Sequence, residues 1–348
     1  MTPTLAPVAT TILDTPSASW SGAYAVFQVR PSYSGPTVKA RRSSDGATLD
    51  FYADRNGSFG TSLAGTGTPL TAWLNGTTGY VVVWYDQSGA GNHATQTDPN
   101  SQPIVDTVSK RIDFTAQGGQ AFLNLPSGTV PEQTSYTVTA KHGQVNAHMG
   151  PVLFGGNCFS PPDSQNEVYR QANFFGVCNP AGTGPGSGDG YITGWFGDNM
   201  GIKGTYTPGN IVTYGYNGTA RYVYVNGQSM GSEVSSGLWN GQSGNEKIGK
   251  DCWYSPRTCY LDGQLYFLHV FKRNLTLSDQ AVVEGGISPG TMSVCILVHS
   301  CAQSLRRRAH ARTHTNRYTH THTLPSIHPS LPRCCHMPLH RTDIFLLR

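Results

Sequence analysis

Charged side chains are scarce in this chain: Asp, Glu, Lys and Arg together make up 13% of its 348 residues. Clusters of Ala, Leu, Glu and Lys are correspondingly few, so long amphipathic helices lack their usual material and helix is expected to be rare. Long apolar runs are missing too, so no segment is expected to cross a bilayer and no membrane partner is expected. The opening stretch MTPTLAPVATTILDTPSASWSGAYA has neither the basic start nor the apolar block of an export signal. Also absent are a G-x-x-x-x-G-K-S/T phosphate loop, an H-E-x-x-H helix and clustered C-x-x-C pairs. Their absence removes the local signatures of nucleotide hydrolysis, zinc proteolysis and zinc ribbons, and no cofactor is expected.

Turn chemistry is abundant instead, with 41 Gly, 22 Pro and 10% aromatic residues. Runs with strand character recur at short spacing between Gly, Pro, Asn and Ser. Strands are expected within Ala23–Arg30, Thr37–Arg42, Thr48–Ala53, Gly79–Tyr85, Arg111–Phe114, Tyr136–Lys141, Pro151–Phe154, Asn173–Val177, Gly190–Phe196, Asn210–Tyr216, Ala220–Val225 and Gln264–Phe271. So many short strands without helices between them mean an all-β sandwich or barrel. The clearest hairpin is IVTYGYNGTARYVYVNGQSMG, where Asn217-Gly218 and Asn226-Gly227 suit the positive-φ positions of tight turns.

Charge and glycine both change abruptly near Ser288. The segment from there to the C-terminus holds eight Arg, no Lys and one acid, which leaves sixteen bases against nineteen acids in residues 1–287, a net charge of about −3. One domain is therefore expected over 1–287, and its mildly acidic balance does not point to nucleic acid. Residues 288–348 contain RRRAHARTHTNRYTHTHT, the kind of text a translated dinucleotide repeat yields, and are expected to form a disordered tail that originates as read-through. The alternative is a metal-binding tract through His310, His314, His320 and His322 with Cys334 and Cys335.

The segment VVVWYDQSGAGNHATQ (81–96) is the most informative in the chain. A β-branched, aromatic run favours a strand, and it stops in a polar loop where Gly89 and Gly91 supply backbone angles other residues resist. Such a loop presents polar groups at the rim of a scaffold. Asp86, Gln87, Asn92 and His93 are therefore candidates to hydrogen-bond a ligand, with Trp84, Tyr85 and Trp195 as stacking faces; the alternative is that Asp86 and Asn92 satisfy the loop's own amides. Cys252 and Cys259 bracket the loop DCWYSPRTC, and Cys158 and Cys178 flank another. Two local disulfides are expected, with four buried thiols as the alternative. These pairs, with sequons at Asn56, Asn75, Asn217 and Asn274, point to an extracellular protein whose export signal is not in this chain.

The hairpin and the following YLDGQLYFLHVFKRNLTLSDQ resemble the end of a concanavalin A-like or laminin-G-like jelly roll, with Ser278 and Asp279 suited to capping a terminal helical turn. More specifically, SYSGPTVKARRSSDGATLDF (32–51) and VVWYDQSGAGNHATQ are similar to the opening of the catalytic domain of fungal α-L-arabinofuranosidase B, over about residues 20–125. That resemblance implies a jelly-roll β-sandwich with a retaining glycosidase site, in which one carboxylate attacks the anomeric carbon and a second carboxyl serves as acid and base. GSGDGYITGWFGDN is similar to the strand bearing the family's nucleophilic Glu, which puts Asp198 there; EKIGKDCW is similar to the segment bearing its acid/base Asp, which puts Asp251 there. Asp198 departs from the family by one methylene, and Cys158 stands alone where the family has two adjacent cysteines. The competing roles are turn capping for both acids, or a structural calcium ion at Asp251. The partner implied is an arabinose-containing polysaccharide or another glycan, met by a monomer. The alternative is a non-catalytic, lectin-like glycan-binding or adhesion module on the same fold.

Overall fold

A computed structural model describes residues 20–30, 32–53, 61–63, 66–130, 135–145, 149–156, 172–178, 190–195, 198–203, 207–234, 246–250 and 260–285. The strands in chain order are β1 (Trp20–Ala25), β2 (Val38–Arg42), β3 (Thr48–Phe51), β4 (Thr61–Leu63), β5 (Thr66–Pro69), β6 (Gly79–Trp84), β7 (Ala94–Thr95), β8 (Ile104–Asp106), β9 (Arg111–Asp113), β10 (Leu123–Asn124), β11 (Tyr136–Val145), β12 (Met149–Gly156), β13 (Ala172–Cys178), β14 (Gly190–Trp195), β15 (Asp198–Lys203), β16 (Ile211–Tyr216), β17 (Ala220–Val225), β18 (Gln228–Val234), β19 (Lys247–Ile248) and β20 (Gly263–Phe271). Each of the twelve expected runs overlaps one of them, though the first strand starts at Trp20 and ends at Ala25 rather than running to Arg30.

The strand pairs among the described residues are antiparallel, and most of them form two long runs that make a β-sandwich. One run is β3–β2–β6–β7–β10–β19–β12–β13–β14–β15. The other is β1–β20–β11–β16–β17–β18. β8 and β9 connect the two by pairing with β6 and β20. Aromatic side chains fill the space between the layers: Tyr24 of β1 meets Trp84 of β6 with ring centroids 5.8 Å apart, and Phe175 of β13 meets Tyr136 of β11 at 5.4 Å. The Tyr214 hydroxyl of β16 donates across the layers to the Gly176 carbonyl at 2.7 Å, which satisfies a buried polar group. The second half of β20 is buried on both faces, so FLHVF reads as a continuous apolar run rather than an alternation.

Local chemistry explains the turns. Asn226 and Gly227 both adopt positive φ, +50° and +76°, and join β17 to β18 as a tight hairpin. The first turn differs from expectation: Gly218 alone is at positive φ, +95°, while the Asn217 carboxamide accepts from the amides of Thr219 at 2.9 Å and Ala220 at 2.8 Å. Asn217 therefore holds the turn through its side chain. The helix Leu277–Gly285 is also present, capped at Thr276, two positions before Ser278. The Thr276 hydroxyl accepts from the Asp279 amide at 3.1 Å and the Asp279 carboxylate accepts from the Thr276 amide at 3.4 Å, a reciprocal box in which Ser278 takes no cap position. A short helix, Leu70–Leu74, was not foreseen; it opens after Pro69 and closes on Asn75 in the left-handed region at φ +48°.

Candidate functional site

The loop after β6 is built from the inside. Trp84 is wholly buried between the layers, so it is a core residue and not a stacking face for a ligand. Asp86, 1% exposed, is also turned inward: Oδ1 accepts from the amides of Ala23 and Ser88, each at 2.8 Å, and Oδ2 from the Ser88 hydroxyl at 2.8 Å and the Asn92 amide at 3.1 Å. Gln87 is fully buried; its amide donates to the carbonyls of Ala25 at 3.0 Å and Phe27 at 2.9 Å and its carbonyl accepts from the Val29 amide at 2.8 Å. Gln87 replaces strand hydrogen bonds that β1 lacks beyond Ala25, and Asp86 satisfies Ala23 and its own loop, so both are structural and no ligand reaches them. Asn92 donates its side-chain amide to the Ser21 carbonyl at 2.8 Å and its backbone carbonyl accepts from the Tyr24 hydroxyl at 2.5 Å, so its side chain ties the loop to β1 and satisfies a carbonyl there, not an amide of the loop.

Tyr85 and His93 remain at the surface, half-buried, with ring centroids 5.0 Å apart in edge contact. The Asp86 amide donates to His93 Nδ1 at 3.1 Å, which leaves Nε2 to carry the proton of the neutral ring. The Tyr85 hydroxyl donates to Asp50 Oδ1 at 2.8 Å. Asp50 and Tyr52 flank core-facing Phe51, and Tyr85 follows core-facing Trp84, so strand alternation puts these side chains on the outer face of β3–β2–β6. Burial, then the negative charges of Asp86 and Asp50, hold the Tyr33 hydroxyl above its ordinary range; burial and the Asp50 hydrogen bond do the same for Tyr85. Both phenols stay protonated as donors. Asp50, Tyr52 and Tyr33 were not foreseen. Only the alternation of TLDFY about a buried Phe51 could have shown that Asp50 faces outward beside the loop.

Trp195 and Asp198 are described in their backbone alone. Trp195 closes β14 and pairs with Asp198, which opens β15. Asp251, Cys252 and Cys259 lie outside the described residues, as does Cys158, while Cys178 is the last residue of β13. The residues on either side of the segment carrying Asp251 pair with each other. Lys250 bridges to Tyr260, the Leu261 amide donates to the Gly249 carbonyl at 2.9 Å, and the Lys250 ammonium sits 4.4 Å from the Phe122 ring centroid and 5.0 Å from that of Tyr260. Gly249 has φ +85°, and a β-carbon there would stand 2.6 Å from Phe114, so glycine is required next to Lys250.

Register relates these positions. Ile248, Leu153, Phe175, Thr193 and Met200 form one row across β19–β12–β13–β14–β15. Asp198 lies two residues to the side of that row where the Tyr85–His93 loop also stands, and Lys250 two residues to the opposite side. On strand spacing alone, the two backbone positions are roughly 13 Å apart along the strands and roughly 19 Å across them. A shared sugar site at Asp198 and Asp251 therefore requires the sheet to curl and the segment after Lys250 to turn back over its face.

Glu246, also unforeseen, is buried and accepts from the amides of Gly128 and Val130, both at 2.5 Å, clamping the turn after β10 to the start of β19. Gly227-Gln228-Ser229-Met230-Gly231 has the G-x-S-x-G spacing of a hydrolase nucleophile elbow, but it runs from a hairpin turn into the exposed strand β18, and Ser229 is itself a strand residue. An elbow needs a strand-to-helix turn, so Ser229 is not placed as a nucleophile. Among the described residues, no three His, Cys, Asp or Glu side chains converge as a metal site.

No family model matches the chain. A probable α-L-arabinofuranosidase B of Aspergillus fumigatus is 31% identical over 176 residues, covering 45% of this chain and 34% of its own length. The α-L-arabinofuranosidase B of Penicillium canescens is 28% identical over 175 residues, covering 45% and 37%, and an α-L-arabinofuranosidase of Hypocrea jecorina is 30% identical over 176 residues, covering 45% and 34%. The chain thus spans about a third of the length of the curated relatives it matches. Among solved structures, a GH54 α-L-arabinofuranosidase soaked with a cyclic sulfate inhibitor superposes with a TM-score of 0.51 at 14% identity, covering 78% of this chain and 63% of that one. An arabinofuranosidase complexed with arabinofuranosyl-α-1,2-xylobiose gives 0.53 at 14% identity with the same coverage. These structures share the fold of this chain.

Proposed function

We propose that this protein is a glycoside hydrolase that removes α-L-arabinofuranosyl residues from plant-type polysaccharide. The observation that carries the reading is the similarity over 175–176 residues to curated α-L-arabinofuranosidases, on a sandwich that also superposes on solved arabinofuranosidases. The finer fold we propose is the concanavalin A-like jelly roll, which fits the two antiparallel runs closed by β20.

In the chemistry proposed, Asp198 attacks the anomeric carbon and the departing oxygen takes a proton from Asp251. Asp251 then deprotonates the water that releases arabinose with its configuration retained. This needs the two carboxyls about 5–5.5 Å apart, with the proton donor's pKa raised by its surroundings. The reading carries with it an extracellular, monomeric protein, a glycan partner, and local disulfides Cys158–Cys178 and Cys252–Cys259, which peptide mapping without reductant would identify. Calcium at Asp251 is the competing proposal, and a chelator that leaves hydrolysis and thermal stability unchanged would dismiss it.

The test is release of arabinose from an aryl α-L-arabinofuranoside by the full chain. Asp198→Asn and Asp251→Asn are each expected to lower kcat by at least about a thousandfold. Undiminished turnover in both would overturn the site, and absent turnover beside measurable glycan binding would leave a sugar-recognising module.

A further inference from the structure

Asp50, Tyr52, Tyr85 and His93 gather with Tyr33 at one end of the outer face of β3–β2–β6, where the core makes no demand on them. Their hydrogen-bonding capacity is only partly used. Asp50 Oδ1 accepts from Tyr85, but among the described residues Oδ2 accepts from nothing. His93 Nδ1 is taken by the Asp86 amide, and its Nε2 has no partner among the described residues; nor has the Tyr52 hydroxyl. The Tyr85 oxygen, having donated its proton, keeps its acceptor capacity. An open carboxylate oxygen, an open imidazole N–H and an open phenol therefore lie beside aromatic rings. Paired donors and acceptors against an aromatic face are the complement of neighbouring sugar hydroxyls, each of which donates and accepts.

The cluster is not loose. The Asp86 carboxylate fixes the loop through the amides of Ser88 and Asn92, and Asp86's own amide orients His93. β3 and β6 are both locked to β2, which sets the separation of Asp50 and Tyr85. Prearranged polar groups lose little freedom when a ligand arrives. Charge narrows the ligand further: Lys39 stands opposite Asp50 in the β2–β3 register, so the patch carries one charge of each sign and favours neither uronates nor cationic amines.

We propose that Asp50, Tyr52, Tyr85 and His93 form a carbohydrate-binding subsite for a neutral sugar residue, gripped through neighbouring hydroxyls. The subsite rests on the carbohydrate reading above but not on catalysis. It belongs to the substrate's chain or to a glycan anchor, and Asp198 and Asp251 take no part in it.

The test is titration of the full chain with arabinotriose and with xylotriose, followed by NMR at the His93 and Tyr85 ring signals and by calorimetry. Wild type is expected to bind one of the two. Asp50→Asn and His93→Gln are each expected to weaken binding about tenfold or more. Circular dichroism identifies any variant that fails to fold, and the other variant then decides. Unmoved ring signals at millimolar sugar, or unchanged affinity in a folded variant, would overturn the subsite. Arabinose release is scored separately, so a failure of hydrolysis leaves this result readable.

Discussion

Gly215 on β16 lies beneath the ring of Tyr222 on β17, its register partner, so closely that an added β-carbon would stand 1.9 Å from the ring's Cζ. The ring cannot swing clear: its hydroxyl donates to Asn274, lies 3.5 Å from the Thr137 hydroxyl, and is 8% exposed as a residue. Burial pushes the pKa of that hydroxyl up to about 12, so it remains a donor throughout the working pH range.

Gly215→Ala is therefore expected to destabilise the fold by about 1–3 kcal/mol, the usual cost of overpacking. Urea unfolding measures it. Tyr222→Val in the Gly215→Ala background removes the clash and should recover part of the loss. Gly215→Ala at wild-type stability would show that the ring is not pinned.

Asp86→Ala is expected to cost about 3 kcal/mol or more, because the amides of Ala23, Ser88 and Asn92 lose their acceptor in a buried place. Ser88→Ala, which deletes one of the four donors, should cost about 1 kcal/mol. A comparable loss in the two variants would contradict the inward, structural role of the carboxylate. Hydrogen exchange at the three amides should quicken in Asp86→Ala alone.

Acid should weaken the sandwich through its buried imidazoles. His142 and His269 are fully buried, and burial pushes the pKa of each down to about 3 from 6.5. A depressed folded pKa means that the unfolded chain takes up protons first as the pH falls. Each contribution is intact above about pH 6.5 and is lost progressively towards pH 3, amounting to about 2 kcal/mol per histidine at pH 5. His269 stacks on Phe267 at 4.8 Å and meets Trp20 edge-on at 5.6 Å, so an aromatic hydrocarbon fits its place. His269→Phe should lose about 2 kcal/mol less than wild type between pH 7 and pH 5 in denaturant melts. Equal losses would remove His269 from the account.

Most of the longer strands were legible because their neighbours in sequence are turn formers and their burial follows β-branched and aromatic residues, but Asp198–Lys203 and Gln228–Val234 were not among the expected runs. Ala94–Thr95, Leu123–Asn124 and Lys247–Ile248 were not, since two residues cannot show a period of two. Their pairing is decided by distant strands. The polar loop was legible as a loop, but not the direction of its side chains. Asp86 and Gln87 look like ligand groups in the sequence, yet Gln87 satisfies backbone groups of the chain from Ala25 to Val29 and Asp86 the amides of Ala23, Ser88 and Asn92. Asp50 gave the reverse case: TLDF reads as an ordinary strand, and only the lock between β3, β2 and β6 brings its carboxylate to Tyr85.

Gln87 joins chain segments 58 to 62 positions apart, holding Ala25, Phe27 and Val29 with a single carboxamide. Folding order follows from that span. The edge near His93, the proposed sugar subsite, cannot take shape until the N-terminal strand has docked, because its foundation is borrowed from there. Contacts of such long reach form late and slow the search. Recognition and completion of the fold should thus arrive together, and an intermediate lacking the first strand should be blind to sugar.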